Sequence, residues 1–138
     1  MVKIYRVYPG IAISGMPKVS DLAKVAEFDL IITLSKKKLP LLISDAVDHR
    51  YAPIKDGRLD KQGEQLGYAV SLVLERVKQG EDVLVHCLAG RNRSALVAAL
   101  AYKELEGVTG QQAYDHIMRV RPWALHNWHF AEYLKGLP

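Results

Sequence analysis

The strongest constraint on the fold is a short apolar run that leads through a polar turn into a second, longer apolar segment. Residues 82–85 read Asp-Val-Leu-Val, which is typical of a short buried strand, and residues 94–105 have the length and apolar content of a buried helix. Between them, at 86–94, lies the segment His-Cys-Leu-Ala-Gly-Arg-Asn-Arg-Ser, which contains the only cysteine of the chain. The sequence therefore predicts that Cys87 lies in a turn between a strand end and a helix start.

A turn of this kind favours the binding of an anion. The first amides of a helix have no partner within the helix, and the helix dipole adds partial positive charge there. Gly90 allows the loop to curl so that successive N–H groups point inward, and the planar guanidinium of Arg93 can hold two oxygens of a phosphate. The same field stabilises the thiolate form of Cys87. A thiolate inside such a loop is typical of nucleophilic attack on phosphorus.

Segment 86–94 resembles the signature of the cysteine-dependent protein tyrosine phosphatases, in which five residues separate a cysteine from an arginine. With its surroundings, the sequence is most similar to the small dual-specificity branch of that superfamily. The resemblance implies that Cys87 is the nucleophile, that Arg93 binds phosphate, and that Ser94 stabilises the departing thiolate. It implies that His86 supports the loop through hydrogen bonds. The residues expected to hold the phosphate oxygens are Leu88, Ala89, Gly90, Arg91, Asn92 and Arg93.

A polar loop at residues 55–60 is expected to carry the general acid. A phosphatase of this type needs an acid to protonate the leaving oxygen and then a base to activate water, and one carboxyl group can do both. The segment Ala-Pro-Ile-Lys-Asp at 52–56 resembles the general-acid loop of the dual-specificity family, which assigns the role to Asp56. A turn-forming role before Gly57 is the alternative for Asp56. Asp60 is the alternative acid, although it also suits the N-cap of the next helix.

The C-terminal segment 119–130 resembles the closing segment of the same family, in which an asparagine supports the phosphate loop. Asn127 matches that position, and it fits equally well as an ordinary helix N-cap. His126 and His129 have a spacing that can bind metal, but no neighbouring carboxylate or cysteine completes a ligand set. We therefore expect no metal and no other cofactor, since the loop supplies the electrostatics that a metal would otherwise give.

The remaining segments predict alternating strands and helices. The predicted strands are 4–8, 11–14, 29–34 and 48–54, and the predicted helices are 20–28, 39–47, 61–78, 109–121 and 127–137. Ser20 is the expected N-cap of the first helix, and Phe130, Tyr133 and Leu134 are expected to face inward from the last. The fold class is accordingly α/β, a central mostly parallel sheet flanked by helices, in a single dual-specificity phosphatase-like domain spanning residues 1–138.

Length and charge restrict the classes of protein and partner. The 138 residues suffice for one domain with a core, and 19 basic against 15 acidic residues give a net charge of +4. This mild excess is compatible with phosphorylated protein substrates and is not diagnostic of a nucleic-acid partner, which we do not expect. One cysteine permits no internal disulfide, and no segment is long and apolar enough to enter a membrane. We expect a cytoplasmic protein, with a monomer favoured over an oligomer.

Lysines at 36–38 follow the predicted strand at 29–34. At the carboxyl end of a parallel strand they could gather phosphorylated ligands at the rim of the site. A solvated loop is the alternative that we favour, because charge runs usually lie at the surface.

The resemblance implies phosphomonoester hydrolysis through a cysteinyl-phosphate intermediate, with phosphotyrosine proteins as first candidates and phosphoserine or phosphothreonine proteins next. An RNA 5′-triphosphatase is an alternative, because Arg91-Asn92-Arg93 is similar to that branch, although its members commonly lack the aspartate that Asp56 supplies. A phosphoinositide phosphatase is another, although those enzymes tend to have two lysines in the loop. A non-catalytic phosphate-binding module usually lacks the cysteine, the arginine or the acid, and all three are present here.

Overall fold

The computed structural model describes residues 1–138 and is built around a five-stranded sheet. Its strands are β1 (Ile4–Tyr8), β2 (Ile11–Ser14), β3 (Leu30–Thr33), β4 (His49–Tyr51) and β5 (Val83–His86). They lie side by side in the order β1-β2-β5-β3-β4, and every neighbouring pair is parallel except β1 and β2. This arrangement confirms the predicted α/β class with a mostly parallel sheet.

The three central strands are buried along their whole length. Every residue of β2, β3 and β5 is buried, and most are apolar. Strands covered on both faces need no polar side, so they read as continuous apolar runs rather than alternating patterns. These apolar runs are the reason that the three strands could be predicted from the sequence.

Helices cover both faces of the sheet. They are α1 (Leu22–Val25), α2 (Leu41–Ser44), α3 (Gly63–Lys78), α4 (Arg93–Glu106), α5 (Gly110–Val120) and α6 (Trp128–Lys135). Helices α3 to α6 pack together over one face and enclose a core of 27 buried residues, whereas α1 and α2 cover the other face over a cluster of eight. Helix α4 is the central helix of the larger layer, packing against α3, α5 and α6 as well as the sheet. No helix has the length and apolar character needed to cross a membrane.

The first helix differs from its prediction. A 3-10 turn at Val19–Asp21 precedes α1, and Ser20 makes no capping hydrogen bond. The carboxylate of Asp21 is buried instead and accepts hydrogen bonds from the backbone N–H groups of Val2 at 3.0 Å and Lys18 at 2.9 Å. These bonds hold the chain in a tight turn, so the α-helix begins after Asp21. The predicted Ser20 cap was therefore wrong.

Two further expectations about helices were also wrong. Asp60 does not cap α3, because the helix begins at Gly63 with Gln62 at the capping position, while Asp60 is exposed and pairs with Arg58 at 3.5 Å. Tyr133 is 43% exposed, since the buried face of α6 is formed by Phe130, Ala131 and Leu134, and Tyr133 lies on its flank.

Helix α5, predicted at 109–121, begins with a capping box. Gln112 N donates to Thr109 Oγ1 at 3.1 Å, and Thr109 N donates to Gln112 Oε1 at 2.9 Å.

The carboxyl ends of the four parallel strands meet at one edge of the sheet. Ser14, Thr33 and His86 lie side by side in the register, and Thr33 is also level with Tyr51 in β4. The loops that follow β2, β3, β4 and β5 therefore converge there, and ligands of open α/β sheets bind at such an edge.

Candidate active site

Cys87 lies immediately after β5 at this edge, as the sequence predicts. It is only 2% exposed, and its Sγ accepts a hydrogen bond from the backbone N–H of Gly90 at 3.3 Å. The hydroxyl oxygen of Ser94, in the first turn of α4, lies 3.4 Å from the same sulfur. The N–H of Gly90 and the hydroxyl of Ser94 can therefore both donate to a thiolate at this position.

The loop that follows Cys87, residues 88–92, leaves every backbone amide except that of Gly90 without a partner in the protein. Four carbonyl groups of segment 87–91 are held by neighbouring parts of the chain: Cys87 O by His86 Nδ1, Leu88 O by Met16 N, Gly90 O by Arg121 Nε, and Arg91 O by Leu125 N. The N–H groups of Leu88, Ala89, Arg91, Asn92, Arg93 and Ser94 donate to no group of the protein. Successive free amides at a helix N-terminus form a binding site for an anion.

Two glycines allow this loop to pack directly on the end of β2. Gly90 has φ +69°, and a Cβ placed on it would lie 2.7 Å from the backbone N of Gly15. A Cβ on Gly15 would in turn lie 2.7 Å from the carbonyl oxygen of Leu88. Such distances leave no room for a side chain at either position. The sequence pattern identified Gly90, whereas the role of Gly15 becomes visible only in the fold.

Arg93 begins α4 and has no carboxylate within ion-pair distance. Its Nη1 makes one long hydrogen bond, 3.4 Å, to the carbonyl oxygen of Ile54. The guanidinium charge is therefore not neutralised by a neighbouring residue, and Arg93 lines the same cavity as Asp56.

Asp56 is joined to the phosphate-loop region by two amide side chains. Its Oδ2 accepts a hydrogen bond from Asn92 Nδ2 at 3.1 Å, and its Oδ1 accepts one from Asn127 Nδ2 at 2.8 Å. Asp60 lines the same cavity but pairs with Arg58 and bonds to no residue of the loop after Cys87. Of the two carboxylates, the fold thus brings Asp56 to the loop.

The sequence left two roles open for Asn127, that of a helix N-cap and that of a support of the phosphate loop. The structure shows the first role directly and the second in a different form. Asn127 caps α6, since its Oδ1 accepts from the backbone N–H of His129 at 3.0 Å. Its Nδ2 donates to Asp56 and to Gly57 O, so the side chain supports the acid loop rather than the phosphate loop. Only its backbone N–H reaches the phosphate loop, at the Oδ1 of Asn92, 3.0 Å away.

The side chain of Asn92 connects these parts and was missed by the sequence analysis, which considered only its backbone amide. It is 4% exposed and uses both ends of its amide, donating from Nδ2 to Asp56 and accepting at Oδ1 from the N–H of Asn127. The Nε2 of His126 lies 3.3 Å from the same Nδ2 and can accept its second hydrogen. No pattern in the sequence indicated these contacts, which join residues more than 30 positions apart.

Gln62 holds the acid loop in place from the start of α3. Its Oε1 accepts from the N–H of Lys55 at 2.5 Å, and its Nε2 donates to the carbonyl oxygens of Arg58 at 2.6 Å and of Lys55 at 3.3 Å. The side chain therefore closes the loop on both sides of Asp56.

His86 is completely buried and donates from Nδ1 to the carbonyl oxygen of Cys87 at 3.1 Å. The pKa of this imidazole is lowered to about 4, mainly because burial disfavours its charged form. His86 is therefore neutral near pH 7 and suited to orienting the loop rather than carrying a charge.

Cations predominate around the cavity that contains Asp56 and Arg93, which measures about 770 Å³. Lys36 and Lys37 lie on this rim, where they could act on a ligand, whereas Lys38 lines a neighbouring cavity. None of the lysines on the rim lies within ion-pair distance of a carboxylate. The charged lining residues are Lys36, Lys37, Lys55, Asp56, Arg58, Asp60, Lys61 and Arg93.

Comparison with known families gives one broad match. A family model described as the catalytic domain of dual specificity phosphatases matches residues 12–136. Among curated relatives, the phosphatidylglycerophosphate phosphatase PTPMT1 of Arabidopsis thaliana is 26% identical over 127 residues, 87% of this chain and 38% of that protein. Dual specificity protein phosphatase 1 of the same plant is 35% identical over 68 residues, 49% of this chain and 34% of that protein. The chain therefore spans little more than a third of the length of these relatives.

Solved structures share the fold along nearly the whole chain. The active form of Tk-PTP has a TM-score of 0.84 and 28% identity, covering 96% of this chain and 93% of its own. Human DUSP28 has a TM-score of 0.77 and 20% identity, with 96% and 92% covered. The second match establishes likeness of fold alone.

Proposed function

Because the chain belongs to the dual-specificity phosphatase family, we propose that it hydrolyses phosphomonoesters through a cysteinyl-phosphate intermediate. The observation that carries this proposal is the set of unpaired loop amides beside Cys87, together with the unneutralised guanidinium of Arg93. Donors fixed in advance at the place where negative charge changes lower the barrier without reorganisation during the reaction.

In the first step, the thiolate of Cys87 attacks the phosphorus in line with the leaving oxygen. The S–P bond forms while the P–O bond to the leaving group breaks, and the carboxyl group of Asp56 gives its proton to the departing oxygen. The loop amides and Arg93 hold the three equatorial oxygens, over which the charge of the transition state is spread.

In the second step, water attacks the phosphorus of the cysteinyl phosphate. The carboxylate of Asp56 accepts a proton from that water, the S–P bond breaks, and inorganic phosphate is released. The hydroxyl of Ser94, 3.4 Å from Sγ, donates to the thiolate as it leaves. The enzyme then returns to its starting state with Asp56 protonated.

Proteins carrying phosphotyrosine are the first proposed substrates, with phosphoserine and phosphothreonine proteins next. Two kinds of relative support this: several are named dual specificity protein phosphatases, and one from Saccharomyces cerevisiae is named a tyrosine-protein phosphatase.

A phosphoinositide is the second candidate, and the unpaired lysines of the cavity favour it. A ligand with several phosphates gains from each cation near the site, and the gain falls with salt because these side chains are exposed. One curated relative is named for phosphatidylglycerophosphate, and a structure of PTPMT1, 18% identical, is described in complex with PI(5)P.

The test is phosphate release from a phosphotyrosine peptide, a phosphothreonine peptide, a phosphoinositide and a 5′-triphosphate RNA, with Cys87→Ser as the blank. We expect release from the phosphotyrosine peptide that disappears in the variant. Preference for the RNA would make Asp56 incidental and replace the proposal by a triphosphatase. Phosphopeptide binding without any turnover would reduce the chain to a binding module.

The two leading substrates are separated by removing charge from the rim. The variant Lys36→Gln/Lys37→Gln should raise KM for a phosphoinositide more than for a peptide with a single phosphate. Lys78→Gln/Lys103→Gln removes the same charge from the last turns of α3 and α4. Lys78 lies roughly 20 Å along α3 from the cavity, so this variant is the matched control. Equal effects of the two pairs would contradict a specific role for the rim lysines.

A further inference from the structure

A chain of hydrogen bonds runs from the surface of the sheet to the backbone of Cys87. The hydroxyl oxygen of Thr33, at the end of β3, lies 2.7 Å from Nε2 of His86 and 2.8 Å from Nε2 of His49 in β4. Thr33 and His86 are completely buried, and His49 is partly exposed. Thr33 and His86 are also level in the parallel register of β3 and β5, so the sheet itself brings them together.

The direction of every bond in this chain follows from its buried end. The carbonyl oxygen of Cys87 can only accept, so Nδ1 of His86 must carry the hydrogen. A neutral imidazole has one N–H, which leaves Nε2 of His86 as an acceptor, and it receives the hydroxyl hydrogen of Thr33. The hydroxyl oxygen of Thr33 then accepts from His49, which must carry its hydrogen on Nε2.

The last bond of the chain determines how the first peptide of the phosphate loop is turned. In a trans peptide the C=O and the N–H point in opposite directions. With the Cys87 carbonyl held by His86, the N–H of Leu88 points away from that histidine. This N–H is one of the amides without a partner in the protein.

We propose that Thr33 and His49 are positioning residues for the proposed reaction, which fix His86 as its Nδ1–H tautomer and thereby keep the amide of Leu88 turned toward the bound phosphate. The inference rests on the proposed function for its catalytic consequence, whereas the tautomer itself is a property of the free protein. The sequence predicted no role for these two polar side chains beyond their place in strands.

Few charged groups lie near this chain of hydrogen bonds. Asp48 precedes His49 and Arg50 follows it in β4, and the two act on the charge of His49 in opposite senses. His49, and Arg93 from the first turn of α4, both disfavour protonation of His86. Burial lowers the pKa of His49 as well, so neither imidazole needs to be charged for the bonds to hold. If His49 does gain a proton, its Nε2 still donates to Thr33.

The experiment combines the nitrogen NMR signals of His86 with the pH dependence of alkylation of Cys87 by iodoacetamide. In the wild type we expect His86 Nδ1 protonated and Nε2 bare. Thr33→Val keeps the shape of the side chain but removes the hydroxyl, and it should shift the alkylation midpoint upward by about one pH unit and lower kcat/KM about ten-fold. His49→Leu should act in the same direction with a smaller effect.

Two controls separate positioning from loss of stability. Thr33→Ser keeps a hydroxyl at this position and should show the wild-type alkylation profile. Ile31→Val removes one methylene from the same strand and the same side of the sheet, and should change stability without changing the alkylation midpoint.

The proposal is overturned if wild-type His86 carries its hydrogen on Nε2, or if Thr33→Val shifts the melting temperature and leaves alkylation unchanged. Should Thr33→Val fail to fold, the wild-type spectrum and Thr33→Ser still decide it. An absence of phosphatase activity would count against the proposed function alone, because the tautomer and the alkylation profile are measured without substrate.

Discussion

Asp56 has the surroundings expected of a residue that must both donate and accept a proton. The side-chain amides of Asn92 and Asn127 each hold one of its oxygens, so the carboxyl group is fixed in direction while remaining exposed to substrate and water. Asp60, four residues further on, is held only by Arg58 at the surface. The two carboxylates therefore offer a direct comparison within one loop.

Asp56→Asn should lower kcat on a phosphotyrosine peptide by about 10²- to 10⁴-fold, the usual contribution of general acid catalysis. The loss should be smaller on an aryl phosphate whose phenol is strongly acidic, because that leaving group needs no proton. The decrease of rate on the basic side of the pH profile should disappear. Asp60→Asn is the matched control and should keep both the rate and the profile; the reverse result would move the acid to Asp60.

The residues proposed to carry the chemistry could be identified from the sequence, whereas the residues that hold them in place could not. Cys87, Arg93 and Asp56 lie in short segments whose pattern is local, so their neighbours in sequence are also their neighbours in space. The side chains of Asn92 and Gln62 act on groups in other loops or on backbone atoms. Such contacts depend on how the loops meet, which a single sequence does not state.

At the scale of elements, the acid loop between β4 and α3 depends on the two residues that precede that helix. Gln62 makes three hydrogen bonds to the backbone at Lys55 and Arg58, and Lys61 adopts a left-handed conformation with φ +64° that turns the chain into the helix. Gln65 lines the same cavity one turn later without a side-chain hydrogen bond.

Gln62→Leu should lower kcat by about 10- to 100-fold, because a displaced acid no longer meets the leaving oxygen. Binding of tungstate, which requires the phosphate loop but no proton transfer, should change little when measured by calorimetry. Gln65→Leu serves as the control and should leave both quantities unchanged. If Gln62→Leu weakened tungstate binding as strongly as turnover, Gln62 would support the whole site rather than the acid loop.

The contact between the end of β2 and the phosphate loop gives a prediction in which anion binding is lost together with turnover. Gly15→Ala would place a methyl group 2.7 Å from Leu88 O and disturb the bond from Met16 N to that oxygen. We expect weaker tungstate binding together with lower turnover. Gly67→Ala, in open space on α3, should instead stabilise the fold by about 0.5–1 kcal/mol. Normal tungstate affinity in Gly15→Ala would show that the loop can move aside.

Strands were easier to predict than short helices, for a physical reason. The central strands are buried on both faces and carry continuous apolar runs, so their limits were located to within one or two residues. Helix α1 is only one turn long, and its start is set by Asp21, whose partners include Val2 at the N-terminus. A bond between residues 19 positions apart has no signature in a local pattern.

At the scale of the whole molecule, two carboxylates connect distant parts of the chain and make its stability depend on pH. Asp48, next to β4, pairs with Arg76 of α3, whose Nη2 lies 2.6 Å away, and with Arg50. The hydrogen bond from Arg76 is the main cause that lowers the pKa of Asp48. For Asp21 the main cause is the backbone N–H of Lys18, assisted by that of Val2. Both groups prefer the ionised form in the folded protein.

The sign of the effect follows from these directions. A carboxyl group whose folded-state pKa lies below its unfolded value stabilises the protein above the unfolded value, about 3.8 for Asp21, and this contribution is lost as the pH falls through the lower folded value. Asp21→Asn supplies one oxygen where two amides need one each, so one N–H loses its partner and the amide nitrogen faces another donor.

We therefore expect Asp21→Asn to lower the free energy of unfolding at pH 7 by about 1–3 kcal/mol, the cost of an unsatisfied buried group. The difference from the wild type should shrink as the pH falls below about 3.8, where Asp21 of the unfolded chain takes up a proton, and should stop changing once the pH lies below the lower pKa of the folded protein. Urea unfolding at a series of pH values measures it, with the exposed Asp45→Asn as control. If the difference in free energy of unfolding between wild type and variant stayed constant down to pH about 2, the charge of Asp21 would make no contribution to stability.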